Sequence, residues 1–324
     1  MISLTERRRY AALLGIFLAL AGAAAYWRIW REKQDPHALF RRLPAENILL
    51  AYLDLGRLRH ASVLAPLLRA RVEPDPDYAA FVRKTGFDYQ RDLDAAAICY
   101  LSDRVYILAR GRFDPARLRQ YALDQGGSCL GSGLERPCRI PADRPQRKIS
   151  FYLMSPGVLA LATAPEPDAV LQLTSTPEPG AEPLAQDVAE NEPAALLWLT
   201  AAPASLDRVL GRSSFFSPNL TLFTKALANS QRAYLSLTDR AGKLELALRA
   251  MCGSEAQAGE LRRLLQGLND LISGVLRGAR ARNPPSEWEK VLGSAVIDQK
   301  RDTVRAAWIL DQTALESLGR EASR

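Results

Sequence analysis

The stretch Ala95–Phe113, AAAICYLSDRVYILARGRF, decides the fold, because two apolar runs in it are separated by a short polar turn near Ser102. This pattern predicts a β-hairpin of two antiparallel strands. A second stretch, RAYLSLTDRAGKLELALRAM (Arg232–Met251), has the same layout and turns at Asp239–Gly242. We therefore expect hairpins, rather than parallel β-α-β units, to dominate the fold.

The elements around these two hairpins come in the same order in both halves of the chain, which indicates an internal repeat. In the first half, a buried strand (Asn47–Leu55) and two helices precede the hairpin, and a helix, a second hairpin and a short helix follow it. In the second half, the strand Ala194–Ala201 and two helices come first, and a long helix, a final hairpin and a terminal helix follow. Tyr100 and Tyr234 are expected to occupy equivalent places in the two copies.

The predicted fold class is α+β: an N-terminal transmembrane helix followed by two repeated units, each a mostly antiparallel sheet with helices packed on one face. Packing the two units sheet against sheet would bury the remaining faces. The predicted organisation is a cytoplasmic basic tail at 1–9, a transmembrane anchor at 10–30, a stalk at 31–43, a first unit at 44–173, an acidic Pro-rich linker at 174–193 and a second unit at 194–324. The linker has no Lys or Arg and is expected to be extended and solvated.

Capping residues mark several helix ends. Asp77 is expected to cap the helix that stops at Gly86, and Asp114 the helix after the first hairpin. Ser254 and Gln257 predict a capping box at the start of the longest helix. The residues expected on one apolar face of that helix are Leu261, Leu264, Leu265, Leu268, Leu271, Ile272 and Val275.

An uncharged run near the N-terminus, Tyr10 to Trp27, is eighteen residues long. As a helix it would be about 27 Å long, close to the thickness of about 30 Å of a bilayer's hydrocarbon core. The side chains predicted to lie at the membrane interface are Arg7, Arg8, Arg9, Tyr26, Trp27 and Trp30. The same run also fits a secretory signal cleaved near Ala25, and this alternative stays open.

Net charge and its distribution constrain the compartment and the partners. Residues 1–42 carry eight basic and three acidic side chains, which is +5 of the formal net charge of +7, so no nucleic-acid partner is expected. Three Arg precede the predicted span and five basic residues follow it within about fifteen residues, so their count alone favours the orientation opposite to export. The Arg triplet before the span and a spaced cysteine pair favour a single-pass inner-membrane protein with its bulk in the periplasm, or a secreted protein if the signal is cleaved.

The four cysteines divide into a spaced pair and two isolated residues. Cys129 and Cys138 flank a Gly-rich turn between two short predicted strands, so they are candidates for a structural disulfide. Cys99 lies in an apolar strand and Cys252 at a strand end. Both are interpreted as buried small apolar residues, with a second disulfide as the alternative.

No pattern in the sequence indicates a catalytic, cofactor-binding or metal-binding residue. The two histidines, His37 and His60, have no partner residues at the spacing of a catalytic triad or a zinc site. A group of acidic residues lacks the spacing of a calcium-binding loop; its members are Glu73, Asp75, Asp77, Asp88, Asp92 and Asp94. We therefore expect a protein that is not an enzyme and needs no cofactor.

Three segments carry a resemblance to a known group of proteins: ENILLAYLDLGRLR (46–59), TGFDYQRDLD (85–94) and ARGRFDPARL (109–118). Together with the basic N-terminus and the single span, the chain resembles uncharacterised single-pass envelope proteins of bacteria, of the kind seen in acidobacteria, with a duplicated extracytoplasmic domain. The resemblance implies a membrane-tethered domain outside the cytoplasm. That group has no assigned function, so no residue roles follow from it.

Two kinds of function agree with these observations. The first is a membrane-tethered extracytoplasmic binding or scaffolding protein with a protein partner in the envelope. The alternative is a carrier or sensor of a lipid-like apolar ligand, in which small residues such as Gly267 and Gly274 make room for the ligand. A hydrolase with an unrecognised site is the third and least favoured hypothesis.

Overall fold

The computed structural model describes part of the chain. The described residues are 37–44, 49–61, 76–131, 136–141, 147–174, 194–202, 226–240, 242–279 and 293–316, with the single positions 181, 183, 187, 192, 290 and 291. The predicted anchor at 10–30 lies outside them, as do its interface residues Arg7, Arg8, Arg9, Tyr26, Trp27 and Trp30. Within the described residues, no helix is both long enough and apolar enough to cross a bilayer.

The strands of the described residues form one sheet of twelve, in which every neighbouring pair is antiparallel. They are β1 (Leu49–Asp54), β2 (Leu93–Tyr100), β3 (Val105–Gly111), β4 (Ser128–Cys129), β5 (Cys138–Pro141), β6 (Lys148–Ser155), β7 (Val158–Ala164), β8 (Ala195–Ala201), β9 (Arg232–Arg240), β10 (Lys243–Met251), β11 (Val296–Lys300) and β12 (Thr303–Leu310). The predicted hairpins are therefore present as β2–β3, β6–β7, β9–β10 and β11–β12.

The helices are short except for one. They are α1 (His37–Phe40), α2 (Leu55–His60), α3 (Pro76–Thr85), α4 (Tyr89–Asp92), α5 (Pro115–Asp124), α6 (Glu255–Ala279) and α7 (residues 312–316), with 3-10 helices at Ala169–Thr174 and Leu227–Asn229. The observed α+β class with a mostly antiparallel sheet confirms that part of the prediction.

The two halves of the chain meet edge to edge. Strands β1 and β8 pair at the centre of the sheet, and we call this pair the seam. From the seam outward, the order is β1-β2-β3-β7-β6-β5-β4 on one side and β8-β9-β10-β12-β11 on the other. The expectation of two sheets packed face to face was therefore wrong. An unpaired β1 edge would leave a row of open backbone groups, and pairing with β8 satisfies them.

Helices α5 and α6 pack on one side of the sheet, which we call the helix face. Leu118 and Ala122 of α5 contact Phe151 and Leu153 of β6. Similarly, α6 buries Ala258, Leu261 and Leu265 against the second half of the sheet. The predicted apolar face of α6 is only partly buried, because Leu264 and Leu271 are 50% and 60% exposed.

Helices also cover the other side of the sheet, the opposite face, in its first half. Leu39 and Phe40 of α1, together with Leu43, are at most 3% exposed and pack on the seam. Leu39, Phe40 and Leu43 thus belong to the central core, although the sequence predicted a stalk at 31–43. The 3-10 helix Ala169–Thr174 covers the neighbouring strands, and the Tyr106 hydroxyl donates a hydrogen bond to its Gln172. Helices therefore lie on both faces, and not on one face only.

The predicted helix ends are correct in three cases and shifted in a fourth. Gly86 directly follows the last residue of α3 and has a φ of 71°, as expected of a C-terminal stop. Asp114 accepts hydrogen bonds from the N–H groups of Ala116 and Arg117 at the start of α5, as expected of an N-cap. The Ser254 hydroxyl accepts from the N–H of Gln257 at the start of α6. Asp77, in contrast, lies inside the first turn of α3, which begins at Pro76.

The predicted equivalence of Tyr100 and Tyr234 was wrong. Tyr100 is the last residue of β2 and packs on the helix face with the α6 cluster. Tyr234 is the third residue of β9 and lies on the opposite face. Neighbouring strand residues point to alternate faces, so a one-residue error in aligning two strands exchanges the faces of their side chains.

Candidate functional site: a polar sheet face in the second half

The strands of the second half carry polar side chains on the opposite face. Leu244, Leu246 and Leu248 of β10 point to the helix face, and the residues between them point the other way. The same alternation runs through β9 and β12. We define the polar face as Thr200, Arg232, Tyr234, Ser236, Thr238, Arg240, Glu245, Arg249 and Arg305.

Glu245 is the buried carboxylate of the polar face, with 8% of its surface exposed. Its Oε1 atom accepts hydrogen bonds from Nε of Arg240 at 2.9 Å and from Nη2 of Arg305 at 2.6 Å. Arg305 is paired with Arg249, and it reaches Glu245 four residues away along β10, over the small side chains of Ala247 and Ala307. Two charge-assisted bonds to one carboxylate offset the cost of burying it.

Arg249 forms a second polar cluster with Tyr234 and Asp187. Its guanidinium carbon lies 4.5 Å from the centroid of the Tyr234 ring, within cation–π range. Its Nη2 atom lies 3.6 Å from Oδ2 of Asp187. Burial and the hydrogen bond with Asp187 raise the pKa of Tyr234 well above its ordinary value. Tyr234 is therefore a neutral hydrogen-bond donor at physiological pH.

Asp187 and Glu192 belong to the segment that the sequence predicts to be a solvated linker. Instead, Asp187 contacts Arg249, and Oε2 of Glu192 lies 4.0 Å from Nη2 of Arg240. Ala181, from the same segment, is 1% exposed and its N–H donates a hydrogen bond to the carbonyl oxygen of Leu43. Ala181, Asp187 and Glu192 of the acidic segment thus contact the folded protein.

Several buried polar atoms around the polar face have no hydrogen-bond partner in the part of the chain that the structure describes. They are Oγ1 of Thr200, Oγ1 of Thr238, Nε of Arg249 and Nη1 of Arg232. Buried polar atoms are almost always paired in folded proteins, and an unpaired one costs about 1–3 kcal/mol. Unused donors of two arginines on one face mark a surface suited to negatively charged groups.

The structure places the predicted disulfide pair directly opposite each other. Cys129 of β4 and Cys138 of β5 are paired residues, with sulfur atoms 1.99 Å apart. This disulfide joins the two outermost strands of the first half.

Cys99 and Cys252 are both free and buried. Cys99 belongs to the core of the opposite face and Cys252 to the α6 cluster of the helix face, so the alternative of a second disulfide does not occur. Burial raises the pKa of the Cys99 thiol to about 12 and also raises that of Cys252. Both thiols stay protonated and packed.

The described members of the acidic group have structural partners. Asp88 accepts a hydrogen bond from the Tyr78 hydroxyl, and Asp92 pairs with Arg112 at 3.2 Å. The N–H of Asp88 and the Arg112 guanidinium lower the pKa of Asp92. Asp94 pairs with Arg59 at 2.9 Å. Among the described residues, no group of three or more His, Cys, Asp or Glu could hold a metal ion.

A shallow concavity with a cavity volume of about 20 Å³ lies between α5 and strands β5 and β6. Ligand pockets usually have about 300–1,000 Å³. Gly267 and Gly274 face open space, because a Cβ atom at either position would meet nothing within 4 Å. Neither feature favours the hypothesis of a lipid carrier.

The polar face was not predicted, although the sequence contains a signal for it. In KLELALRAM (Lys243–Met251), leucines alternate with Glu245, Ala247 and Arg249, which places both charges on one side of a strand. What the sequence does not show is that Arg305, sixty residues after Glu245, comes to lie beside it.

No protein-family profile matches this sequence, and no protein of curated function matches it. Among solved structures, the chain is similar to crystal form III of the protein TP0453, with 12% sequence identity and a TM-score of 0.47, over 88% of this chain and 97% of that one. Crystal form I of TP0453 gives 10% identity and a TM-score of 0.46, over 88% and 98% of the two chains. Likenesses of this strength carry no argument about function.

Proposed function

We propose that this protein is a membrane-tethered extracytoplasmic binding or scaffolding protein, and that the polar face is its binding surface. The observation that carries the proposal is that Arg232 and Arg249, on one face of a continuous sheet, each have a buried nitrogen with no hydrogen-bond partner among the described residues. The other surfaces of that sheet that the structure describes are closed by apolar packing of α1, α5 and α6. A binding surface of this kind needs no catalytic residue or cofactor.

The tether is supported by the sequence and by the place of α1. The predicted anchor ends at Trp30, and six residues separate it from His37, where α1 begins. Six residues span at most about 20 Å when fully extended. Since α1 packs on the seam, the sheet would be held close to the bilayer. The resemblance to bacterial single-pass envelope proteins also supports inner-membrane tethering with the bulk of the chain in the periplasm.

An internal duplication belongs to the same proposal. The order β1-β2-β3-β7-β6 in the first half corresponds to β8-β9-β10-β12-β11 in the second, and α5 and α6 occupy the same place in the two orders. Two copies of one unit joined at the seam would give a scaffold with two related surfaces, of which only the second is polar.

A reporter fused after Arg324 tests the location. Alkaline phosphatase is active only outside the cytoplasm, whereas green fluorescent protein exported in unfolded form does not fluoresce there. We expect an active phosphatase fusion in the membrane fraction. A fluorescent, phosphatase-inactive fusion would overturn the tether, and an active fusion in the soluble periplasmic fraction would favour cleavage near Ala25.

Photo-crosslinking in cells tests the binding surface. A photoreactive amino acid in place of Ile309, which is 44% exposed beside the polar face, should give a discrete crosslinked protein. The same substitution at Leu271 on α6 serves as the control on the helix face. Equal crosslinking at both positions, or none at Ile309, would contradict the assignment of the polar face.

A further inference from the structure

From the contacts of Asp187 and Glu192, we infer that the polar face is a docking site for an acidic protein segment, and that the acidic segment of this chain occupies it in cis through these two residues. The inference rests on the proposed function, because it names the partner of the surface proposed there. A partner protein would bind by replacing the segment of residues 174–193.

Charge complementarity is the first argument. Residues 174–193 contain five acidic side chains and no Lys or Arg. The two described acidic residues of this segment, Asp187 and Glu192, are both paired with arginines of the second half, Arg249 and Arg240. Carboxylates five positions apart in the sequence therefore meet two different arginines of this face.

The second argument is the difference between the two kinds of ion pair on this face. The pairs within the sheet, Glu245 with Arg240 and with Arg305, have N–O distances of 2.9 and 2.6 Å and are hydrogen bonds. The pairs to the acidic segment have distances of 3.6 and 4.0 Å, too long for direct hydrogen bonds. The sheet pairs fix the arginines. The acidic segment is held by the two longer ion pairs and by the hydrogen bond between Tyr234 and Asp187, so its exchange breaks one direct hydrogen bond to this face.

The unused donors are the third argument. Nε of Arg249 and Nη1 of Arg232 are buried and have no partner within the described residues, although Asp187 lies beside Arg249. A carboxylate placed closer to these arginines would form charge-assisted hydrogen bonds that the cis segment does not form. A segment of a partner protein can therefore compete with the acidic segment of the same chain, although the covalent link gives the acidic segment a high effective concentration.

A binding experiment with the full chain in detergent tests the inference. The probe is a fluorescent synthetic peptide with the sequence of residues 174–193, measured by anisotropy at low ionic strength. Asp187→Asn with Glu192→Gln should weaken the cis contacts, and the peptide should then bind at least about tenfold more tightly than to the wild type. Adding Arg249→Gln to this variant should remove the gain.

Glu260→Gln with Asp270→Asn is the matched control, because it makes the same charge change on exposed positions of α6. It should leave peptide affinity at the wild-type value. Equal affinity of the double variant and this control would overturn the inference. Equal binding of a peptide with Asn and Gln at positions 187 and 192 would also overturn it, because the two carboxylates would then contribute nothing. Equal competition by a dT oligonucleotide of the same charge would overturn it too, because that result shows charge attraction alone.

Limited proteolysis gives a second measurement that does not depend on peptide binding. A Glu-specific protease should cleave within residues 174–193 several-fold faster in Arg249→Gln than in Arg263→Gln, an exposed α6 control. Wild-type cleavage there should also accelerate as NaCl is raised. Equal rates in both variants with no salt effect would overturn the cis occupancy. These assays are independent of the cell compartment, so a failed reporter fusion and a failed docking test are distinguishable.

Discussion

On the sheet face opposite α5 and α6, the two halves of the molecule share a strand order and differ in chemistry. In the first half this face is apolar and is closed by α1 and the 3-10 helix Ala169–Thr174. In the second half it carries arginines, Glu245 and hydroxyl groups, and the described residues against it include two acidic ones. One half of the face thus stabilises the fold by burying apolar surface, and the other half is left with polar groups that can bind.

The largest expected effect is on the apolar side. Phe40 is fully buried, and its ring centroid lies 5.0 Å from that of Trp198 across the seam. Phe40→Ala should lower the free energy of unfolding by about 3–5 kcal/mol, because it leaves a cavity at the centre of the core. Urea denaturation followed by tryptophan fluorescence measures this. Leu271→Ala, at an exposed position, should change it by less than about 0.5 kcal/mol; similar values for the two variants would mean that α1 does not close the seam.

On the polar side, Glu245→Gln should have the next largest effect. It leaves Arg240 and Arg305 without their shared carboxylate, and breaking a buried pair costs about 3–5 kcal/mol. Since Arg240 is more than half exposed, we expect about 2–3 kcal/mol in urea denaturation. Asp298→Asn on the exposed edge strand is the control and should be neutral. A neutral Glu245→Gln would show that the polar face contributes nothing to stability.

The disulfide restrains only the outer edge of the first half. Cys129→Ser with Cys138→Ser should cost about 2–3 kcal/mol, because it opens a short loop in the unfolded chain. Thermal unfolding with and without a reductant measures the effect. The reductant should not change the double variant further, since Cys99 and Cys252 are free thiols. A further loss on reduction would reveal another disulfide.

The smallest expected effect is on the free energy of unfolding when two buried hydroxyls are removed. The two hydroxyls lie in one row that runs across the strands. Ser150 and Thr200 are both 0% exposed, on opposite sides of the seam. The Ser150 hydroxyl accepts a hydrogen bond from the N–H of Val170, so Ser150→Ala should cost about 1 kcal/mol. The Thr200 hydroxyl has no partner in the described part of the chain, so Thr200→Val should be neutral or stabilising by up to about 1 kcal/mol. A destabilised Thr200→Val would show that a water or a bound group pairs with this hydroxyl.

Local patterns in the sequence were sufficient for the hairpins and for most helix ends. Asp114 and Ser254 cap helices where expected, because capping depends on residues within one turn of each other. The hairpins were predictable for the same reason, since their strands are joined by short turns. In α6, the apolar period predicted Leu261 and Leu265 as buried, but Leu264 and Leu271 at the margin of that face are exposed.

Long-range pairing was not predictable from these patterns. The seam joins Leu53 to Leu197, and no local feature of either strand names its partner. The burial of Phe40 was missed because Arg41 and Arg42 beside it suggested a solvated stalk. The acidic segment was interpreted from its composition alone, and composition does not reveal that arginines on distant strands meet Asp187 and Glu192.

The seam also has a consequence for biosynthesis. β1 ends at Asp54 and its partner β8 begins at Ala195, so the ribosome must add about 140 residues between them. At about 5–20 residues per second, the nascent chain exposes the open edge of β1 for roughly 10–30 s before β8 exists. During that interval, the emerging first half is a template for wrong strand pairing, within one chain or between neighbouring chains. Its maturation should therefore depend on a holding chaperone until β8 has been synthesised.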